Sequence, residues 1–281
     1  MKINNKKIKL MLSSKTVAFG VIFLGFVTVI SIFGPLVMTK DRDQINTSIA
    51  NGPPSLEHVL GTDDLGRDVL VRLVYGGRVS LAVGIGATFI SLTIGVLLGA
   101  IAGYFGGKID LLIMILIDVF MCLPFFIIAI ILASLIGPSM WNSVIIIGFL
   151  GWTSIAKIVR GQVLAIKERQ FIEAARCVGM DSMEIIFKHI IPNIISSIIV
   201  YATLGIAGAI LAESGLSYLG MGVKQPVPSW GNMLSTARNM KSLMRYWWQW
   251  APPGIMVFLT ILSINFIGDG LRNIINPRTK E

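Results

Sequence analysis

Few residues in this 281-residue chain are of types that carry chemistry, and their spacing argues against most reactions. His58 and His189 are the only histidines. They fall on opposite sides of the apolar runs described below, so no single metal site or nucleophile–base pair can use both. Cys122 lies in an apolar run and Cys177 in a charged one, which gives neither a disulfide framework nor zinc spacing and leaves the redox compartment open. Gly106-Gly107-Lys108 superficially resembles a phosphate loop. Ala102 stands where its first glycine belongs, however, and Ile109 where Mg²⁺ needs a hydroxyl, so the chain is not expected to bind ATP itself. Asp63, Asp64 and Asp68 cluster three carboxylates that could hold Ca²⁺. The alternating acids of an EF-hand are missing and Val74 replaces the closing glutamate, so with Arg67 and Arg72 at hand a structural ion-pair turn is expected. No catalytic residue and no metal ligand is assigned.

Composition explains the scarcity. Only 14% of the chain is charged, against about 25% in soluble proteins, while 54% is apolar and the mean hydropathy is +0.77. A water-soluble fold would leave much of that apolar surface exposed, so lipid is the expected solvent and a soluble enzyme is excluded. The excess of 24 Lys+Arg over 15 Asp+Glu flanks the apolar runs, which marks membrane topology, not a nucleic-acid surface.

A helix needs roughly 20 residues to cross the hydrocarbon. The apolar runs predict an all-α integral membrane protein with six transmembrane helices, near 16–38, 79–103, 111–136, 141–158, 190–211 and 251–267, the third and fourth divided at Gly137-Pro138. With the N-terminus inside, the inner segments carry fifteen Lys and Arg and the outer segments nine, which favours both termini in the cytoplasm. The first run is long for a signal peptide and ends in Val37-Met38-Thr39-Lys40 without small residues, so it is expected to remain as an anchor. The expected organisation is an N-terminal tail, helix and outer loop over 1–75, a five-helix core over 76–268 with an inner loop at 157–189, and a tail over 269–281.

Three polar or helix-breaking residues in or beside the spans, Asp118, Pro124 and Glu213, are candidates for a solute path or for polar links within the bundle. Asp118 lies about 15 Å along the helix from Lys108, deep enough to need water or a partner; pairing with Lys157 or with backbone amides in the bundle is the favoured reading over a place on the solute path. Pro124 can kink the third helix. The glycines at 84, 86, 95, 99 and 103 permit close helix packing. Trp247, Trp248 and Trp250 are expected to form an interfacial belt in preference to a ligand cage.

The inner loop is the most informative segment. Residues 168–178 are strong helix formers and Gly179 suits a helix end with positive φ. Phe171, Ala174, Ala175 and Val178 fall at i, i+3, i+4 and i+7, an apolar stripe suited either to docking a partner or to lying on the inner leaflet.

Glu173-Ala174-Ala175 followed by Gly179 and Ile191-Pro192 resembles the EAA signature of permeases of ABC importers. The stretches 61–81, 189–193 and 216–234, with Asp118 and Pro124, are similar to the second, C-type, permease of the dipeptide, oligopeptide and nickel group. Lys224 and Gln225 depart from the usual Pro-rich outer motif. The resemblance implies a type I ABC importer permease fold in the inner membrane, a heterodimer with a sister permease, two ATPase subunits that hold ATP and Mg²⁺, and an extracytoplasmic binding protein. This chain would bind no cofactor. ATPase coupling would fall to Phe171, Glu173, Ala174, Ala175 and Gly179. Binding-protein docking or gating at the outer loop would fall to Leu219, Gly220, Gly222, Pro228 and Trp230. Peptides are the expected cargo, with nickel or another small solute as the alternative. An ion-coupled secondary transporter would show an inverted repeat, which is not detectable, and a membrane enzyme would need more polar groups in its spans.

Overall fold

The structure is a computed structural model and describes residues 14–275. The terminal segments that supply most of the expected inner charge at the chain ends lie outside those residues. Helix α1 (Lys15–Val37) leads through the first of the two loops expected on the outer side, and named outer loops on that expectation, to α2 (Val69–Phe105), which is followed by α3 (Gly107–Cys122), α4 (Phe125–Ile136), α5 (Met140–Leu150) and α6 (Trp152–Ile166). A short helix α7 (Gln170–Cys177) precedes α8 (Ser182–Ile185), which runs through a π turn at Ile186–Ile190 into α9 (Ile191–Tyr218). Two small helices, α10 (Trp230–Leu234) and α11 (Met240–Arg245), precede α12 (Trp247–Ile275).

The 37 residues of α2 make it the axis of the bundle. At 1.5 Å per residue it is about 55 Å long, well beyond the hydrocarbon thickness. It packs against α1, α5, α6 and α9, while α12 closes the other side against α9 and α1. Asp68 starts α2 by accepting the amides of Leu70 and Val71, so the expected division between 75 and 76 falls inside a helix. The first helix packs along α2 and α12, and the loop after it is tied to the start of α2 at Asp68.

The expected packing role of the α2 glycines is visible at its seam with α6. A Cβ on Gly99 would lie 2.5 Å from the Ala156 carbonyl oxygen, and one on Gly95 2.8 Å from Ile155. Both contacts are backbone or branched side chain, so they cannot yield cheaply. Gly99→Val should lower the thermal unfolding midpoint of the detergent-purified protein, since overpacking costs about 1–3 kcal/mol. Gly161→Ala, at a site where a Cβ meets nothing within 4 Å, serves as the control and should leave the midpoint unchanged.

Among the described residues five helices are long and apolar enough to cross a membrane, and the bent pair α3–α4 makes a sixth if the two count as one span. That pair corrects the expected third helix. A kink at Pro124 was expected; the chain instead breaks completely, with α3 and α4 inclined by 85°. Leu123 is extended at φ −84° and ψ 128°, and Pro124 caps the start of α4. Proline has no amide hydrogen and disfavours helical geometry in the residue before it, which accounts for the break. The fourth span continues to Ile166 and the fifth begins at Ser182, both reaching well beyond the apolar runs.

Candidate functional sites at the two ends of the bundle

Helix α7 owes its sharp end to Gly179, whose φ is +78°. The Gly179 amide donates to the Arg176 carbonyl at 3.0 Å and the Met180 amide to the Ala175 carbonyl at 3.1 Å, the paired bonds of a Schellman stop. The apolar stripe divides into two faces. Ile172 and Ala175, three apart, are buried among Val163, Ile185, Ile186 and Ile190. Phe171, Ala174 and Val178 point away from the bundle, with Phe171 40% and Val178 78% exposed. Ala175 is thus an anchor and not part of the free face, because Ile172, overlooked in the spacing, sets the inward direction. Glu173 and Arg176 are exposed as well.

A second contact ties α7 to the axis. Arg176 lies over the Tyr104 ring at 5.1 Å and its Nε donates to the Tyr104 hydroxyl at 3.4 Å. Tyr104 is one residue from the end of α2, and sequence spacing gave no sign of this pairing. Nearby, Arg160 of α6 grips Asp110 of α3 through one guanidinium edge, its Nε and Nη2 each donating to a different carboxylate oxygen, the latter at 2.6 Å. The Lys157 ammonium donates to Asp118 at 2.9 Å, one of the partners expected for that carboxylate. The pair is open, with the Asp118 side chain 61% and the Lys157 side chain 37% exposed.

At the other end the two outer loops are knotted together. Arg67 Nε donates to Asp63 at 2.6 Å, and both Arg67 and Arg72 donate to the side-chain oxygen of Gln225. Arg72 also donates to the Pro226 carbonyl at 3.2 Å. Asp68 meets His58 and Lys40 as well as capping α2. The carboxylate cluster therefore serves as ion pairs and caps. Gln225, a departure from the outer motif, is the group that receives both arginines.

Beneath this knot Glu213 of α9 is fully buried. Ser80 of α2 donates to it at 3.0 Å and Ser217 at 2.7 Å, and those two hydroxyls accept the amides of Trp230 and Val223. Glu213 is thus a polar link within the bundle. Glu213→Leu leaves both serines without their acceptor, at a cost of about 1–3 kcal/mol for each, whereas Glu213→Gln keeps an acceptor. Thermal unfolding should show a large loss for the first and a small one for the second.

The outer-loop residues separate by burial. Leu219 and Gly220 are exposed, but Gly222, Pro228 and Trp230 are buried. Trp230 is 0% exposed, its ring packed on Gly76 and Gly77 and its indole N–H donating to the Leu73 carbonyl at 3.0 Å. A surface docking role for these three gives way to anchoring of the loop. The tryptophan belt also divides: Trp247 is 55% exposed, while Trp248 is buried and donates to the Thr62 carbonyl at 3.2 Å. A cavity of about 1070 Å³ lies between the two outer loops, bordered by Arg67, Arg238, Lys241 and Gln249. Deeper in the spans, a groove of about 320 Å³ between α2, α4, α6 and α9 is lined by Thr88, Ser91, Ser154, Tyr201 and Gly208, and no charged side chain borders it.

Comparison with known proteins identifies the class of molecule that carries these features. Residues 95–281 match the family described as the binding-protein-dependent transport system inner membrane component. The chain is 40% identical over 268 residues to the dipeptide transport system permease protein DppC of Alkalihalophilus pseudofirmus, covering 95% of this chain and 88% of the relative. It is 39% identical over 269 residues to the oligopeptide transport system permease protein OppC of Haemophilus influenzae, covering 95% and 86%. A chain of the MetNI methionine ABC transporter, solved in inward-facing conformations, shares the fold with a TM-score of 0.58 at 18% identity, over 73% of this chain and 96% of that one. The chain belongs to the family of binding-protein-dependent transport system inner membrane components.

Proposed function

We propose that the chain is one half of the membrane path of an ATP-driven importer, the C-type permease of the peptide group, with di- and oligopeptides as cargo. A sister permease completes the path as a heterodimer. Two ATPase subunits dock on the cytoplasmic side and hold ATP and Mg²⁺, and an extracytoplasmic binding protein delivers the peptide. Both termini lie in the cytoplasm. Hydrolysis takes place on the partner subunits.

The observation that carries this reading is the division of α7 into an anchored and a free face. Ile172 and Ala175 fix the helix to the bundle, while Phe171 and Val178 flank the small Ala174 on the outside. A small residue between two apolar ones lets a groove wall approach closely and gives it two side chains to enclose. Movement of the ATPase pair on ATP binding then reaches α2 through the Arg176–Tyr104 contact, so α7 acts as a rigid lever on the bundle axis. Coupling between sites of this kind runs about 1–3 kcal/mol, within the reach of one docking residue.

The uncharged groove between α2, α4, α6 and α9 supplies this chain's wall of the path. Walls of hydroxyls, apolar groups and glycine suit a cargo whose side chains vary in charge, because they leave no buried ion to be matched. The Asp118–Lys157 pair neutralises itself. Its exposure favours a wall toward water or the sister permease over one toward lipid.

Reconstitution tests the reading. Proteoliposomes holding this chain, the sister permease and the ATPase subunits, with binding protein added, should take up labelled di- and tripeptides only with ATP. Uptake by this chain alone, or uptake driven by an ion gradient without ATP, would overturn it.

A further inference from the structure

On the flank of the bundle a groove of about 370 Å³ opens between α1, α2, α9 and α12. Leu24 and Ile32 of α1, Leu81 and Ile85 of α2, Ile206 of α9 and Ile264 of α12 form most of its wall. The threonine hydroxyls that reach it are already used within their own helices. Thr28 donates to the Leu24 carbonyl and Thr203 to the Val200 carbonyl, each at 2.7 Å. Apart from the Ser31 hydroxyl, the groove therefore offers an occupant hydrocarbon and little to hydrogen-bond.

One charged residue borders it. Arg78 is exposed and has no ion-pair partner among the described residues. It lies nine residues from the outer start of α2 and immediately before the apolar run beginning at Val79. A guanidinium at that level, beside lipid, requires an anion, and its stem can lie along the groove while its head reaches the interface.

We propose that this groove is a binding site for a phospholipid with an anionic headgroup, its acyl chain in the groove and its phosphate on Arg78. One molecule thereby satisfies both halves of the site. The site stands apart from the outer cap, the coupling helix and the uncharged groove of the proposed path.

The test uses the purified full chain in nanodiscs of equal parts phosphatidylglycerol and phosphatidylcholine, then detergent extraction and quantification of the lipid that stays bound. Wild type should retain phosphatidylglycerol over phosphatidylcholine by about fivefold, the effect of one cation near an anionic lipid. Arg78→Ala should abolish the preference. Ala82→Phe, an exposed position on the groove wall, should displace the bound lipid, while Phe258→Ala, exposed and outside the groove, should leave it in place. Equal retention of the two lipids by wild type, or a preference that survives Arg78→Ala, overturns the proposal. So does a disulfide cross-link from a cysteine at Ile85 to the sister permease in the assembled transporter.

Discussion

Ala174→Trp, in the transporter assembled with its ATPase subunits, should cut peptide uptake and binding-protein-stimulated ATP hydrolysis together, by about ten- to a hundredfold, while the protein stays in the membrane at its normal level. Ala174 is exposed on α7 and its Cβ supports nothing in the bundle, so a larger side chain there meets only a partner. Ala175→Trp should behave differently. Ala175 is 6% exposed and packed in the cluster of Ile172, Ile185 and Ile190, so the indole would force that cluster apart and lower the amount of folded protein. Glu173→Lys, a charge reversal on the free side, should uncouple without loss of protein. Uptake, ATPase rate and membrane abundance measured in parallel separate the three. Normal uptake and normal ATPase rate in both Ala174→Trp and Glu173→Lys would remove the lever from the account.

The largest expected loss of stability is at the opposite end. Trp230→Ala removes a fully buried indole from between α2 and the outer loop, and truncations of this size cost about 3–5 kcal/mol. The variant also frees the segment that carries the exposed Leu219 and Gly220, so uptake should fall even where some protein survives. Trp230→Phe keeps most of the packing and loses the bond to the Leu73 carbonyl, at a cost of about 1 kcal/mol. Thermal unfolding of the two purified variants should therefore rank them far apart. Near-equal midpoints would mean that the loop is held by the Arg67–Arg72–Gln225 knot without help from Trp230.

What the sequence made legible follows from how local each signal is. The Gly179 stop needs only a helix former run and a residue tolerant of positive φ, and it lies where expected. The Asp118–Lys157 pair follows from the cost of a carboxylate in a span that offers few cations. The inward face of α7 was not legible, because Phe171 and Ile172 are adjacent apolar residues about 100° apart on the helix and either can head a stripe. Only the partner cluster from α6 and α8 decides between them. Trp230 was misplaced for a similar reason. An indole beside Pro228 in an outer loop reads as surface, and its burial depends on Gly76 and Gly77, some 150 residues earlier, leaving room on α2. Pro124 was read correctly as a disruption, but its local chemistry does not say whether a helix bends or breaks. The long reach of α2 beyond the apolar run was hidden because Arg72 and Arg78 interrupt the hydropathy signal while remaining helical.

The account rests on α7 facing a separate ATPase across the cytoplasmic surface, and one cross-link addresses it directly. A cysteine at Val178, the most exposed apolar position of the segment, is placed in a chain whose Cys122 and Cys177 are serine, and paired with cysteines along the groove of the ATPase subunit. A disulfide that forms in the assembled transporter, and whose yield changes when ATP is bound, is the predicted result. Labelling of that cysteine by a membrane-impermeant thiol reagent added only from the extracytoplasmic side, with no cross-link to the ATPase, would contradict it.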